Sequence, residues 1–140
     1  MRNIIVGIDR SETAGLAAQR AAELANAYGD NLHIVMCIDR GQTMEVQVGS
    51  DRFRLDNLAE SEHFVAQVGR KLGATNYSHA VRNGDPAKVL CEEAASRDTR
   101  AIVVGNRRAQ GMARVLGSVA ADVVKNAPCD VLVANTTSAA

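Results

Sequence analysis

The sequence predicts a doubly wound α/β sandwich, and three observations lead to it. Five apolar segments of strand length alternate with four segments of helical character along the chain. The strand segments are apolar on both faces, the pattern of parallel strands covered on two sides. The chain has 140 residues, 46% of them hydrophobic and 23% charged, which suits one domain spanning residues 1–140 with an ordinary core.

The elements follow in order. Asn3 to Ile8 is a continuous apolar run that ends at an acid, Asp9. From Ser11 to Tyr28 the residues are strong helix formers, with Ala14, Ala17, Ala18, Ala21, Leu24 and Ala25 at helical spacing and Gly29 as a stop. Small side chains on that stripe let the helix lie close on a sheet. Leu32 to Ile38 is a second buried strand, again closed by an acid, Asp39. Arg40 to Ser50 reads as a loop able to hold a brief strand at Met44 to Val48. A helix resumes near Arg52 with Leu58, Val65, Val68 and Leu72 as its apolar stripe, ends at Gly73, and leads to a third strand around Tyr77 to Val81.

Gly84-Asp85-Pro86 is a helix start, since Asp85 can accept from free amides and Pro86 sits where its missing N–H costs nothing. That helix is expected to run to about Arg97. Arg100 to Gly105 gives a fourth strand, an irregular Gly- and Arg-bearing loop follows to Gly117, and Ser118 opens the last helix. Asn126-Ala127-Pro128 ends it, Cys129 to Asn135 is the fifth strand, and Thr136 to Ala140 is a short polar tail. With right-handed crossovers and a winding reversal beside the first strand, the sheet order is 3-2-1-4-5, a Rossmann-like arrangement. Ligands of such sheets bind beyond the carboxyl ends of the strands at the reversal, here the ends at Asp9, Cys37 and Gly105.

Composition narrows the function. Lys+Arg and Asp+Glu are equal at 16 each, so the chain lacks the basic footprint of a nucleic-acid or anionic-membrane binder. Aromatics are only 3%, which removes the stacking platforms used for single strands. Cys37, Cys91 and Cys129 are an odd, scattered set without a CxxC pair or leader peptide, as expected of a reduced cytoplasmic protein, and no apolar run approaches membrane-spanning length. His33, His63 and His79 lack metal-ligand spacing and are read as structural. No Walker A lysine motif, GxGxxG or GxSxG occurs.

The segment from Val104 to Ser118 carries the most chemistry. Gly105, Gly111 and Gly117 allow close backbone approach, Ser118 offers a hydroxyl and an amide at a helix N-terminus, and Arg107, Arg108 and Arg114 add cations, the components of a phosphate cradle. The same segment also reads as a strand-helix connection with a solvated basic rim.

Here the sequence resembles the universal stress protein family, whose nucleotide-binding members carry Gly-x-x-Gly, nine residues, then Gly-Ser or Gly-Thr. The opening Ile4-Ile5-Val6-Gly7-Ile8-Asp9-Arg10-Ser11, the Gly84-Asp85-Pro86-Ala87 start and the closing Ala127-Pro128-Cys129-Asp130-Val131-Leu132-Val133 extend the likeness over essentially the whole chain. Gly105 and Gly117-Ser118 fit the motif, whereas Arg108 stands at the second glycine and only eight residues separate it from Gly117. That arginine either blocks the backbone approach or replaces it with a charge-assisted contact.

The resemblance implies an adenine nucleotide, ATP with magnesium, held by Gly7, Ile8, Asp9, Cys37, Val104, Gly105, Asn106, Arg107, Arg108, Gly117, Ser118 and Val119. Asp9 would face ribose or magnesium by resemblance; from the residues alone it equally suits a helix cap ahead of Ser11. For Cys37 the implied contact is main-chain, leaving the thiol a plain core group.

The expected role is a stress-response signalling or regulatory dimer, with ATP hydrolysis slow at most because no carboxylate base lies in the loop. Arg108 and the short loop motivate two alternatives: a dimeric interaction protein of the same fold that binds no nucleotide, or a binder of another anion such as a cyclic nucleotide. The homodimer would form through the fifth strand, whose edge and apolar Val131 and Val133 invite pairing.

Overall fold

The computed structural model describes residues 1–9, 11–38, 50–108 and 114–136, with side chains throughout except at 12, 50–57, 107, 108, 114 and 115. Its elements are β1 (Asn3–Ile8), α1 (Glu12–Tyr28), β2 (Asn31–Ile38), α2 (Ser50–Lys71), β3 (Tyr77–Asn83), α3 (Pro86–Ala95), β4 (Thr99–Gly105), β5 (Arg107–Arg108), β6 (Arg114–Val115), α4 (Ser118–Asn126) and β7 (Asp130–Ala134). β3, β2, β1, β4 and β7 form one sheet in that order, every pairing parallel. This is the expected 3-2-1-4-5 order, with β7 as the fifth strand.

Strand alternation sorts the core into two layers. Ile4, Val6 and Ile8 of β1 and Leu32, Ile34 and Met36 of β2 meet Ala17, Ala18, Ala21, Ala22 and Ala25 of α1 and Val65 of α2 on one face. Ile5, Val35, Ile102 and Val104 meet Ala87, Val89, Leu90 and Ala94 of α3 and Ala120 and Val123 of α4 on the other. The alanine stripe of α1 is fully covered, and the close packing it permits lets one helix touch β1, β2 and β4. Among the described residues no helix is long and apolar enough to cross a membrane.

Local chemistry sets the boundaries. Ser11 caps α1 by accepting from the Ala14 amide at 3.2 Å, and Gly29 ends it in the left-handed region at φ 70°. Asp85 accepts from the Lys88 amide at 3.0 Å ahead of Pro86, as its position predicts. Several expectations shift. α3 stops at Ala95 because the Thr99 hydroxyl takes the Ala94 carbonyl at 3.0 Å and turns the chain into β4. β3 reaches Asn83, its ladder with β2 continuing to Ile38↔Asn83.

β3 and β7 are edge strands and so are not buried on both faces. Leu58 is exposed, and Phe64 packs beside Val68 and Leu72 instead. The loop after Gly105 contains a short antiparallel pair, Arg107↔Val115 and Arg108↔Arg114. The brief strand proposed at Met44 to Val48 lies outside the described residues, as does the rest of that loop from 39 to 49.

His33 is structural, as read from sequence, and its partners come from two other elements. Its Nδ1 lies 2.7 Å from Ser78 Oγ and its Nε2 2.8 Å from Glu93 Oε1, while Arg82 donates to Glu93 Oε2 at 3.1 Å and to Glu92 Oε1 at 2.8 Å. A carboxylate only accepts, so Nε2 carries the proton and Nδ1 accepts from Ser78. Burial holds the imidazole below its ordinary range, outweighing the opposing pull of Glu93. Glu93 is raised by burial, but hydrogen bonds from His33 and Arg82 leave it below the usual carboxylate value.

Just before β2 begins, Arg100 pairs with buried Asp30 and stacks 4.0 Å from the Tyr28 ring centroid.

Because the folded imidazole resists protonation, the stability it supports is complete above its ordinary value of 6.5 and declines as pH falls toward the lower folded value. Thermal unfolding is therefore expected to show a lower midpoint at pH 5.5 than at pH 7.5 in the native chain. His33→Gln should flatten the curve across that window; an equally steep curve in the variant would assign the pH dependence elsewhere.

Candidate functional site

The ladders flanking β1 end at different heights. β1 pairs with β2 as far as Ile8↔Met36, but with β4 only as far as Val6↔Val103, while β4 continues beside β7 to Gly105↔Ala134. β1 and β4 therefore part at Gly7 and Val104, where the winding reverses. The opening is a cleft of about 320 Å³, ample for a small ligand.

Its walls are assembled from every element that ends or begins there. β1 supplies Gly7, Ile8 and Asp9, β2 Val35 and Cys37, and β4 Val103, Val104, Gly105 and the following Asn106. Gly117, Ser118, Val119 and Ala120 bring in the start of α4. Of the residues predicted from sequence, Gly7, Ile8, Asp9, Cys37, Val104, Gly105, Asn106, Gly117, Ser118 and Val119 all line this one cleft. Arg107 and Arg108 follow it on β5, their backbone paired with β6, and their side chains lie outside the described residues. Sequence reading overlooked Ser11 ahead of α1, Thr13, Ala14 and Ala17 of α1, Pro86 and Leu90 of α3, and the wall residues Val35, Val103 and Ala120, which also line it. The signal was available for the first two, since they sit directly after the strand end at Asp9, where such sheets place ligands.

The α4 terminus differs electrostatically from its counterparts. α1 and α3 have side-chain caps, from Ser11 and Asp85, whereas Gly117 at the start of α4 provides none. The first turn of α4 thus opens into the cleft with its positive dipole end uncapped by a side chain.

Asp9 is exposed, and its Oδ1 accepts from the Ser11 amide at 2.7 Å, so the capping reading of this acid is realised on one oxygen. No cluster of three metal-ligating side chains occurs among the described residues. Asp9 fits magnesium only as one carboxylate completing the shell of an ion carried in by phosphates. Cys37 faces the cleft half-buried, and burial pushes its thiol up to about 11, which leaves it protonated and unreactive near neutrality.

The chain after β7 is not a free polar tail where it is described. Thr136 is only 5% exposed and lies over Gly105; a Cβ built on that glycine would stand 2.9 Å from Thr136 Cγ2 and 3.0 Å from its Oγ1. The missing side chain at Gly105 thus makes room for Thr136. Gly105→Ala is expected to cost about 1–3 kcal/mol through this overpacking. Thr136→Ala removes both opposing atoms, so the double variant should be more stable than the sum of the single effects allows. Urea titration of all four proteins tests this, and strict additivity would disprove the contact.

Comparison with known proteins places these features in one family. The model of the universal stress protein family matches residues 1–135. A protein of Staphylococcus haemolyticus whose name assigns it to that family is 29% identical over 140 residues, covering 96% of this chain and 85% of its own. A universal stress protein structure from Archaeoglobus fulgidus is 25% identical with a TM-score of 0.74, covering 95% of this chain and 98% of its own. The structure from that organism in complex with dAMP gives 24% and 0.66, covering 95% and 97%. A universal stress protein in complex with cAMP is 25% identical with a TM-score of 0.69, covering 97% and 98%. With the family model matching 1–135 of the 140 residues, one assignment follows: the chain belongs to the universal stress protein family.

Proposed function

We propose that this protein binds an adenine nucleotide in the cleft between β1 and β4 and that occupancy governs its role as a regulatory dimer in the stress response. The observation that carries the reading is the start of α4, a helix end with no side-chain cap facing a cleft at the strand ends. Such an end favours an anion, and the apolar wall of Val35, Pro86 and Leu90 suits a base. The complexes of related proteins with dAMP and cAMP support an adenine ligand.

ATP is the proposed physiological nucleotide. Its phosphates would meet Asn106, Gly117, Ser118 and the backbone of Val119. Arg107 and Arg108 would supply the neutralising charge from the ribbon next to Gly105. Magnesium would arrive with the triphosphate and take the oxygen of Asp9 not engaged by Ser11. Because the acid nearest the cleft's phosphate end is already serving as a turn acceptor, hydrolysis should be slow, and the protein acts as a binder rather than a catalyst.

The proposed dimer pairs β7 with a second copy. β7 is a sheet edge whose exposed apolar residues are Leu132 and Val133, at 38% and 39%. Val131 is half-buried and packs partly against the core.

Two measurements test these readings. Ser118→Glu places a negative charge where the helix dipole welcomes it but a phosphate does not, so stability should hold while affinity for ATP and AMP falls at least about tenfold in calorimetric titration. A native protein that gives no heat with millimolar nucleotide would refute the binding role. Sedimentation velocity at micromolar concentration should show a dimer, converted to monomer by Val133→Lys; a native monomer would remove the assembly.

A further inference from the structure

Asn106 and Thr136 lie 30 residues apart and are joined by more bonds than chain tracing requires. The Asn106 amide donates to the Ala134 carbonyl at 3.2 Å, extending the β4–β7 ladder past its last register pair. The Thr136 amide then donates to Asn106 Oδ1 at 2.9 Å, and the Thr136 hydroxyl donates to the Asn106 carbonyl oxygen, standing 3.2 Å from Oδ1 as well. Both residues are buried, at 7% and 5% exposure, and Gly105 is a glycine where the threonine rests.

This arrangement decides which way the carboxamide of Asn106 points. A backbone N–H can only donate, so the atom facing Thr136 has to be the oxygen. A flipped carboxamide would set its NH2 against the Thr136 amide, donor against donor, inside a buried contact. The other end, Nδ2, therefore points away from Thr136 and has no hydrogen-bond partner among the described residues. No buried side-chain nitrogen or oxygen there lacks a partner, so Nδ2 reaches accessible surface, and Asn106 lines the cleft.

We propose that Thr136 is a positioning residue of the cleft: it holds the Asn106 carboxamide so that Nδ2 is presented as a fixed donor to an anionic oxygen of the ligand. The proposal rests on the reading that the cleft takes a nucleotide and adds how its phosphate end is recognised. A donor held in place before binding loses little rotamer freedom when the ligand arrives, and it selects an acceptor over a cation. The segment that fixes it follows directly from edge strand β7, so the end of the sheet and the ligand seat share one set of hydrogen bonds.

The test compares AMP with adenosine, which differ by the phosphate, in the full chain. Dissociation constants are measured by calorimetry or chemical-shift titration for the native protein, Thr136→Val, Thr136→Ser and Asn106→Asp. Thr136→Val keeps the shape over Gly105 but removes the hydroxyl; it should weaken AMP about five- to tenfold and adenosine less than about twofold, and Thr136→Ser should restore AMP. Asn106→Asp retains the oxygen that Thr136 needs while replacing the donor with charge, so AMP should weaken more than about tenfold with adenosine again little changed. Equal AMP binding by native and Thr136→Val proteins, or parallel loss of AMP and adenosine in both the Thr136→Val and Asn106→Asp proteins, overturns the positioning role. A native chain that binds neither compound overturns the nucleotide reading itself, a result distinct from selective failure of the variants.

Discussion

The unequal ladders on the two sides of β1 are the constraint from which the rest of the site follows. β1 is held by β2 to its last residue and released by β4 two residues sooner, at Val6↔Val103. In doubly wound sheets of this order the crevice beyond such parted strand ends is the place where ligands are generally received, and the cleft of this chain opens there. Its depth depends on α1, whose alanines bring the helix onto β1 and β4 and carry Ser11 and Thr13 to the rim.

Charge is partitioned in keeping with that geometry. The buried charged groups are not among the residues that line the cleft: Asp30 pairs with Arg100 at the amino ends of the strands, and Glu93 is held by Arg82 and a neutral His33 between β2, β3 and α3. Removing Arg100 would leave the buried Asp30 carboxylate without its ion-pair partner, whereas Glu93 is held by both His33 and Arg82. The cleft itself presents polar groups that are neutral or exposed, namely the α4 amides, Ser118, Asn106 and Asp9. Among the described residues the cleft therefore offers dipoles already oriented by the fold and no ion pair, the arrangement that the proposed anionic ligand requires.

Arg108 is the point at which this chain departs from the motif it resembles, and the structure recasts the question. Its backbone is paired with Arg114 across the β5–β6 ribbon. A ribbon gives the loop regular backbone where the motif has a second glycine. Gly105, by contrast, is needed for a neighbour within the chain, since Thr136 occupies the space its side chain would fill.

Much of the fold was legible in the sequence because its signals are local. Continuous apolar runs, the alanine stripe, Gly29 and Asp85-Pro86 each act on residues within a turn or two, and each is found in the place its chemistry predicts, whereas Ser11, read as the first helical residue, is the cap. The strand-end rule likewise pointed to Asp9, Cys37 and Gly105 before any geometry was known. What the sequence could not determine were contacts between residues far apart in the chain: Glu93 against His33 at a separation of 60, and Thr136 against Asn106 at 30. Neither leaves a periodic trace, because a single hydrogen bond across the fold exists only after helices and strands have packed. So the sequence alone determined the layers, their order and the edge where a ligand would sit, through patterns that repeat along the chain. Only the tertiary structure decided which side chains line the cleft and which are spent holding its walls, since that choice is made by partners the chain brings together last.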